Sequence, residues 1–181
     1  MQEVSVIIPN FNGMAYLDGV LAGLECQTVN NFEVILVDNG SSDGSCAFVS
    51  ARYPWVHLIE LPENFGFCKA VNEGIKASRA PYVLLLNNDI EVTENFIEEM
   101  ISAIRRHPKA FSCAARMIQF HDRDKLDDAG NYYCALGWAY ARGKGKDIHT
   151  YEKEEKIFAS CAGAAIYRKK IFDKIGLFDE E

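Results

Sequence analysis

The chain has 181 residues, of which 49% are hydrophobic, a length that suits one domain with a substantial buried core. The formal net charge is −7 with no block of like charges, so we predict no nucleic-acid partner, because such a partner needs a basic stripe. No run reaches the about 18 apolar residues of a membrane span, and the six cysteines are scattered without a Cys-x-x-Cys pair, which predicts a reduced, cytoplasmic protein rather than a disulfide framework.

Strands and helices are predicted to alternate through the first part of the chain. Apolar runs predict strands at 4–9, 32–37, 56–60 and 82–86. The segments between them predict helices over 13–27, from the turn at 38–44 to about 53, from the loop at 64–66 to about 78, and from an N-cap at Thr93 to about 107.

This alternation predicts βαβ units and a mainly parallel sheet. Right-handed crossovers place the loops after the first, second and fourth strands on one edge of such a sheet. Segments 9–12, 38–43 and 87–89 should therefore line a single crevice, at the edge where open α/β sheets bind their ligands.

The pattern changes after residue 117. Segment 119–156 is polar and rich in Gly, Tyr and charge, so we predict a long excursion with a hairpin over 131–140. The chain should then return to the sheet over 159–167 and end in a helix over 169–175 that Gly176 stops.

The predicted crevice carries polar groups at each strand end. Asp89 follows an apolar strand, where an ionised carboxylate needs a partner, and it suits a hard divalent cation, although it could simply cap a helix or turn the chain. Asn10, Phe11 and Asn12 suit a nucleobase and its ribose, or a plain turn. Asp38 could accept from a base NH or a ribose hydroxyl, or form an Asx-turn. No GxGxxG or GxxxxGK[ST] motif is present, which argues against a dinucleotide or P-loop enzyme.

Four segments in this order resemble the successive motifs of family 2 glycosyltransferases: Val-Ile-Ile-Pro-Asn-Phe-Asn at 6–12, Val-Ile-Leu-Val-Asp-Asn-Gly-Ser-Ser-Asp at 34–43, Asn-Phe-Gly-Phe-Cys-Lys-Ala-Val-Asn-Glu-Gly at 64–74, and Leu-Leu-Leu-Asn-Asn-Asp at 84–89. The likeness resumes at 162–168 and 172–180. The Asn-x-Gly-Phe and Leu-Asn-x-Asp variants are most similar to the rhamnosyltransferase-like branch.

The resemblance implies a GT-A fold, a Rossmann-like three-layer α/β/α sandwich with a mainly parallel mixed sheet. Within this single domain, 1–118 would form the nucleotide-sugar-binding half and 119–181 the acceptor-side excursion and the return to the sheet. The implied cofactor is Mg²⁺ or Mn²⁺, held by Asp89 as the metal-binding acid of an Asp-x-Asp motif.

The resemblance also implies site residues. Asp38 would hold the base or ribose, and Gly163 and Ala164 would lie on the acceptor side, near the transferred sugar, or serve only in strand packing. The other donor-binding positions implied are Pro9, Asn10, Phe11, Asn12, Asn39, Gly66, Lys69, Asn72, Asn87 and Asn88.

The implied reaction is transfer of a sugar, hexosyl or rhamnosyl, from a UDP- or dTDP-sugar to a hydroxyl of a saccharide or lipid-linked saccharide with inversion, in cell-surface polysaccharide synthesis. Two features depart from the family pattern. Asn87 replaces the first acid of Asp-x-Asp, which predicts weaker metal affinity. The family's catalytic base lies downstream of the Gly-x-Phe-Asp-Glu motif, so we expect it beyond Glu181 and expect the 181-residue chain to bind donor but transfer poorly.

Two alternatives stay open at this stage: a non-catalytic sugar-nucleotide-binding module, made plausible by Asn87 and by the catalytic base expected beyond Glu181, and a sugar-phosphate nucleotidyltransferase. The second is disfavoured because the loop after the first strand lacks the Gly- and Arg/Lys-rich sequence that holds a triphosphate. We expect a protein of the cytoplasm, at the inner face of the membrane if a C-terminal part beyond this sequence associates with it peripherally.

Overall fold

The computed structural model describes residues 2–181, which form ten strands and five helices. The strands are Val4–Asn10 (β1), Phe32–Asp38 (β2), His57–Glu60 (β3), Tyr82–Leu86 (β4), Ser112–Ala114 (β5), Met117–Ile118 (β6), Leu126–Asp128 (β7), Asn131–Tyr133 (β8), Ala139–Ala141 (β9) and Ala164–Arg168 (β10). The helices are Met14–Glu25 (α1), Ser45–Arg52 (α2), Phe67–Ala77 (α3), Phe96–Arg106 (α4) and Lys169–Ile175 (α5).

One six-stranded sheet organises the chain, in the order β3-β2-β1-β4-β10-β5. The first four strands in that order are parallel, whereas β10 runs antiparallel to both β4 and β5. The prediction of a mainly parallel, mixed sheet is therefore confirmed. The register pairs Asn10 with Asp38, so the carboxyl ends of β1 and β2 lie side by side.

Helices cover both faces of this sheet, because alternate strand residues point to opposite sides. On β1, Val6 and Ile8 pack in the core shared with α1, α2 and α4, whereas Ile7 packs in the core shared with α3 and α5. Because both faces of these strands are buried, their sequences are continuous apolar runs. The result is the three-layer α/β/α arrangement predicted from the sequence.

Some predicted boundaries differ from the structure. Thr93 is not the N-cap of α4, because the helix begins at Phe96 after Asn95, and the Thr93 hydroxyl instead donates to the side-chain oxygen of Asn95 at 2.9 Å. The return strand begins at Ala164 rather than near residue 159. The short edge strand β5 was not predicted, since three residues carry too little periodicity to read.

The excursion after residue 117 contains the predicted hairpin, formed by β8 and β9. It also contains a second antiparallel pair, β6 and β7, with a register shift between Met117 and Ile118. The sequence pattern did not indicate this pair, because strands of two or three residues carry too little periodicity to read. None of the helices within residues 2–181 is both long and apolar enough to cross a bilayer.

Candidate functional site

A cleft of ≈ 350 Å³ lies at the carboxyl ends of β1, β2 and β4. The predicted convergence of the loops after these strands is therefore observed. The cleft is lined by Pro9, Asn10, Phe11, Asn39, Asn64, Gly66, Phe67, Ala70, Asn87, Asn88 and Asp89.

Asn10 joins the three strand ends through its side chain. Its Nδ2 donates to Asp38 Oδ1 at 2.8 Å and to Ser41 Oγ at 3.3 Å, and its Oδ1 accepts from Asn88 Nδ2 at 2.7 Å. Because the amide is only 2% exposed and both of its ends are engaged, Asn10 fixes the shape of the cleft floor.

Asp38 is buried beneath this floor, 1% exposed, and does not line the cleft. Its Oδ2 accepts from the backbone N–H of Ser41 at 2.8 Å. Burial raises the pKa of the nearby Cys46 thiol to about 12, and hydrogen bonds to Asp38 and Glu60 add to that rise. The structure thus shows Asp38 fixing the loop after β2, and its contact with the base or ribose stays a prediction.

Asn12 connects the loop after β1 to the loop after β2. Its backbone N–H donates to Ser41 Oγ at 2.8 Å, and its Oδ1 accepts from the N–H of Ser42 at 2.9 Å. Asp43 extends the same fastening, accepting from the N–H of Met14 at 2.9 Å, and the Ser45 hydroxyl lowers the pKa of Asp43. Asn12 is exposed but lies outside the residues that line the cleft.

Asn39, which directly follows β2, holds the loop at 64–66 through its side chain. Its Nδ2 donates to Asn64 Oδ1 at 2.8 Å and to the carbonyl of Gly66 at 3.1 Å, and its Oδ1 accepts from the N–H of Phe65 at 3.0 Å. Gly66 has a φ of 87° and a ψ of 165°, a backbone region essentially reserved for glycine. This loop therefore closes the side of the cleft opposite β4.

Two phenyl groups lie on the cleft, Phe11 at 47% and Phe67 at 44% exposed. Apolar surface left in contact with water is unfavourable, and a flat ring system that stacks on these two side chains would cover it. Phe67, Asn64 and Ala70 were not among the predicted site residues. The Asn-x-Gly-Phe segment carried the signal for the first two, since the motif ends on the phenylalanine itself.

Asp89 is exposed and is the only charged residue among the described residues that line the cleft. No cluster of three or more His, Cys, Asp and Glu side chains that could hold a metal occurs within 2–181. One carboxylate beside the Asn87 amide fits a hard divalent cation that takes its remaining oxygens from a bound diphosphate and water. A diphosphate entering this cleft would need such a cation, because the lining supplies no positive charge.

Lys69 and Asn72 lie outside the cleft, contrary to their expected place in it. The Lys69 ammonium lies 3.2 Å from Glu73 Oε1 and 3.3 Å from Glu180 Oε2. Asn72 is 1% exposed, and its Nδ2 donates to the carbonyl of Phe178 and to Glu180 Oε1, both at 2.8 Å. Both residues hold the C-terminal segment onto α3.

Gly163 and Ala164 differ in their surroundings. The carbonyl of Gly163 accepts from the N–H of Asn87 at 2.8 Å, so this glycine adjoins the end of β4 at the cleft. Ala164 is 2% exposed and packs in the core with Leu86 and Ile166. The methyl group of Ala164 faces the helices and not the cleft. Strand packing, which was the alternative for these two small residues, therefore explains the alanine at 164.

Comparison with known families and structures agrees with this geometry. The family model for Glycosyl transferase family 2 matches residues 5–176. An N-acetylglucosaminyl-diphospho-decaprenol L-rhamnosyltransferase of Mycobacterium tuberculosis (strain H37Rv) is 25% identical over 198 residues, covering 97% of this chain and 64% of that protein. The chain spans about half the length of the curated relatives it matches.

Two solved structures share the fold. S. aureus TarS 1-349 in complex with UDP-GlcNAc has a TM-score of 0.72 at 20% identity, covering 98% of this chain and 49% of that one. The mannosyltransferase PcManGT from Pyrobaculum calidifontis, in complex with GDP-Man and Mn²⁺, has a TM-score of 0.72 at 15% identity, covering 99% and 48%. The sheet and its covering helices are thus of the GT-A type.

Proposed function

The chain belongs to glycosyltransferase family 2, and on that basis we propose that it acts in transferring a sugar from a nucleoside-diphosphate sugar to an acceptor hydroxyl, with inversion. In this reaction the acceptor hydroxyl oxygen bonds to the anomeric carbon and its proton passes to a general base. The bond from the anomeric carbon to the diphosphate breaks, and the nucleoside diphosphate leaves. The observation that carries the proposal is the cleft itself, where the ends of β1, β2 and β4 bring aromatic, amide and carboxylate groups to one place.

The donor we propose is a UDP- or dTDP-sugar with a hexosyl or rhamnosyl group. Phe11 and Phe67 line the cleft and offer stacking surface for a pyrimidine base. The hydrogen bonds of Asn10 to Asp38 beneath it, and of Asn39 to the loop at 64–66, would hold the loops open to the nucleoside without reorganisation on binding. The UDP-GlcNAc complex of S. aureus TarS is consistent with this donor class.

A divalent cation, Mg²⁺ or Mn²⁺, would be held by Asp89 with help from the Asn87 amide oxygen. When bound, such an ion neutralises the charge that develops on a departing diphosphate. The role of Asp89 is to supply the one fixed negative charge that attracts the ion to the cleft, while Asn88 is held against Asn10 and orders the backbone beside it. The Mn²⁺ in the complex of the P. calidifontis mannosyltransferase supports this cofactor.

The acceptor we propose is a saccharide or lipid-linked saccharide in cell-surface polysaccharide or cell-wall synthesis. The M. tuberculosis relative is named for a lipid-linked substrate, N-acetylglucosaminyl-diphospho-decaprenol. Gly163 adjoins Asn87, and a β-carbon on it would meet its nearest neighbours at 3.5 Å or more, so the glycine leaves room beside the donor site.

Calorimetry with UDP and dTDP, in Mn²⁺ and in a chelator, tests the proposal. We expect saturable binding of at least one nucleoside diphosphate in Mn²⁺, weakened at least about tenfold by the chelator because a diphosphate then meets only the Asp89 carboxylate. Phe67→Ser should weaken binding, whereas Phe65→Ser is the matched control, since Phe65 is equally exposed at 44% but lies outside the cleft lining. Absence of binding by either nucleotide in both conditions would overturn the proposal.

A further inference from the structure

Two asparagines in the loops after β1 and β2 are each followed by a glycine, at Asn12–Gly13 and at Asn39–Gly40, and the sequence contains no other such pair. An Asn-Gly pair is chemically labile, because glycine has no side chain to hinder the approach of its backbone nitrogen to the side-chain carbonyl carbon of the asparagine. Attack by that nitrogen closes a five-membered imide ring. The rate at each pair depends on how firmly the folded structure holds the asparagine amide.

The amide of Asn39 is held at both ends and shielded from water. Its Nδ2 donates to Asn64 and Gly66, its Oδ1 accepts from the N–H of Phe65, and the residue is 3% exposed. The hydrogen bonds of its Nδ2 would have to break before the amide nitrogen could leave. We therefore expect Asn39 to react only when this part of the fold opens.

The amide of Asn12 is held at one end only. Its Oδ1 accepts from the N–H of Ser42 at 2.9 Å, whereas no acceptor within residues 2–181 receives a hydrogen bond from its Nδ2, and the residue is exposed. Its amide nitrogen, the group that leaves, is therefore free to do so. The hydrogen bond to its Oδ1 polarises the carbonyl that the Gly13 nitrogen attacks.

The geometry of the loop after β1 explains why a labile pair occupies it. Asn12 has a φ of 50°, in the left-handed region that asparagine tolerates better than most residues. Glycine follows because a β-carbon at position 13 would lie 2.1 Å from Asn88 Nδ2. The backbone conformation and the packing at the cleft thus favour Asn followed by Gly, although this pair is reactive.

We propose that Asn12 is a modification site, which converts spontaneously to aspartate and isoaspartate and thereby weakens the donor cleft. The Gly13 nitrogen bonds to Asn12 Cγ, the bond from Cγ to Nδ2 breaks, and ammonia leaves with the proton that the Gly13 nitrogen gives up. Water then opens the imide. Hydrolysis at Cγ gives aspartate, whereas hydrolysis at the main-chain carbonyl carbon gives isoaspartate, so each product has exchanged ammonia for water.

Both products would disturb the connection between the loops after β1 and β2. Isoaspartate carries the main chain through its β-carbon, and this extra atom would displace Gly13 from its place against the Asn10–Asn88 pair. Aspartate keeps the main chain but adds a negative charge near Asp43, where a nucleoside diphosphate would bring further negative charge. The loss of donor affinity rests on the proposed function, whereas the modification itself does not.

Peptide mapping by mass spectrometry, after incubation of the chain at mildly alkaline pH, tests the modification. We expect conversion at Asn12 to be at least about tenfold faster than at Asn39, because only Asn39 needs local opening. In the chain unfolded by urea the two pairs should convert at similar rates, since both lose their contacts. Equal rates at the two positions in the folded chain, or no conversion at Asn12, would overturn the proposal.

Calorimetry with UDP and with dTDP in Mn²⁺ measures the consequence for the cleft. Affinity should fall in step with conversion of Asn12. An Asn12→Gln chain should keep its own starting affinity through the same incubation, because its longer side chain forms a six-membered imide far more slowly. An equal decline in both chains would assign the loss to another change and count against the proposal.

Hydrogen exchange of the Ser42 N–H, which donates to Asn12 Oδ1, supplies a readout that needs no nucleotide. It should accelerate in the converted chain relative to core amides, because the loops after β1 and β2 lose this connection. Unchanged exchange after conversion would show that the loops stay joined and would contradict the proposal. Failure of the proposed function, in contrast, would appear as absence of nucleotide binding by the unconverted chain.

Discussion

The side chains of Asn10 and Asn88 form a hydrogen bond of 2.7 Å in the space that a side chain on Gly13 would occupy. A β-carbon on Gly13 would lie 2.1 Å from Asn88 Nδ2 and 2.3 Å from Asn10 Oδ1. The ends of β1 and β4 are thus locked together across the first turn before α1. Because Gly13 has a φ of −102°, its role is to leave space, and no special backbone conformation is needed.

Gly13→Ala should therefore weaken both folding and donor binding. The methyl group must displace both amides, so we expect a loss of about 1–3 kcal/mol in the free energy of unfolding and a weaker affinity for nucleoside diphosphate. Gly19→Ala, inside the helix that follows Gly13, is the control, since nothing lies within 4 Å of its β-carbon position. Alanine there should raise stability by up to ~1 kcal/mol through helix propensity and leave affinity unchanged. Urea unfolding and calorimetry measure the two effects.

Asp38→Asn and Asp89→Asn should affect stability and nucleotide affinity differently, because the Asp38 carboxylate is buried and the Asp89 carboxylate is exposed. Asp38 accepts from Asn10 Nδ2 and from the N–H of Ser41 with its two oxygens, so an amide there loses one acceptor and should cost about 1–3 kcal/mol of stability. Asp89→Asn should change stability by less than about 0.5 kcal/mol but abolish the effect of Mn²⁺ on nucleotide affinity. If Asp38→Asn kept full stability and lost only affinity, Asp38 would have to contact the nucleoside directly.

Asn87→Asp should strengthen the metal dependence of nucleotide binding. The change supplies the missing first acid of the Asp-x-Asp pattern at the end of β4, and a second carboxylate raises the affinity of an oxygen site for a divalent cation. Titration of nucleotide binding with Mn²⁺ should therefore saturate at a concentration several-fold lower than in the unaltered chain. Asn88→Asp, one residue further on, is the contrasting variant. It removes the amide that donates to Asn10 and should weaken binding rather than improve it.

The fold could be predicted from the sequence because hydrophobic periodicity determines which segments form strands and helices. The continuous apolar runs at β1, β2 and β4 and the alternation of strands with helices determine a parallel sheet, and the crossover rule then brings residues 9–12, 38–43 and 87–89 together. The short strands β5, β6 and β7 were not predictable, because two or three residues show no period.

The site was predictable only in part, because sequence position does not reveal where a polar side chain finds its partner. The sequence placed Asn39, Asn87 and Asn88 correctly at the cleft. It could not reveal that Asn72 reaches Phe178 and Glu180, more than a hundred residues further along the chain. A buried polar group pairs with whatever donor or acceptor the tertiary fold brings near it, and that pairing has no local signature.

The attachment of the C-terminal segment to α3 should depend on pH through Glu180. The Asn72 amide, which donates to it, and then the Lys69 ammonium hold the pKa of Glu180 below the 4.5 of an ordinary glutamate. Since the folded carboxyl binds protons less readily than the unfolded one, its contribution is present above pH 4.5 and is lost as the pH falls through the lower folded value. Hydrogen exchange of the Phe178 N–H, which donates to Asn72 Oδ1 at 3.0 Å, should therefore accelerate relative to core amides as the pH falls below 4.5. Glu180→Gln should remove most of this pH dependence while Glu181→Gln keeps it, and identical profiles for the two variants would assign the attachment to Asn72 and the Phe178 backbone alone.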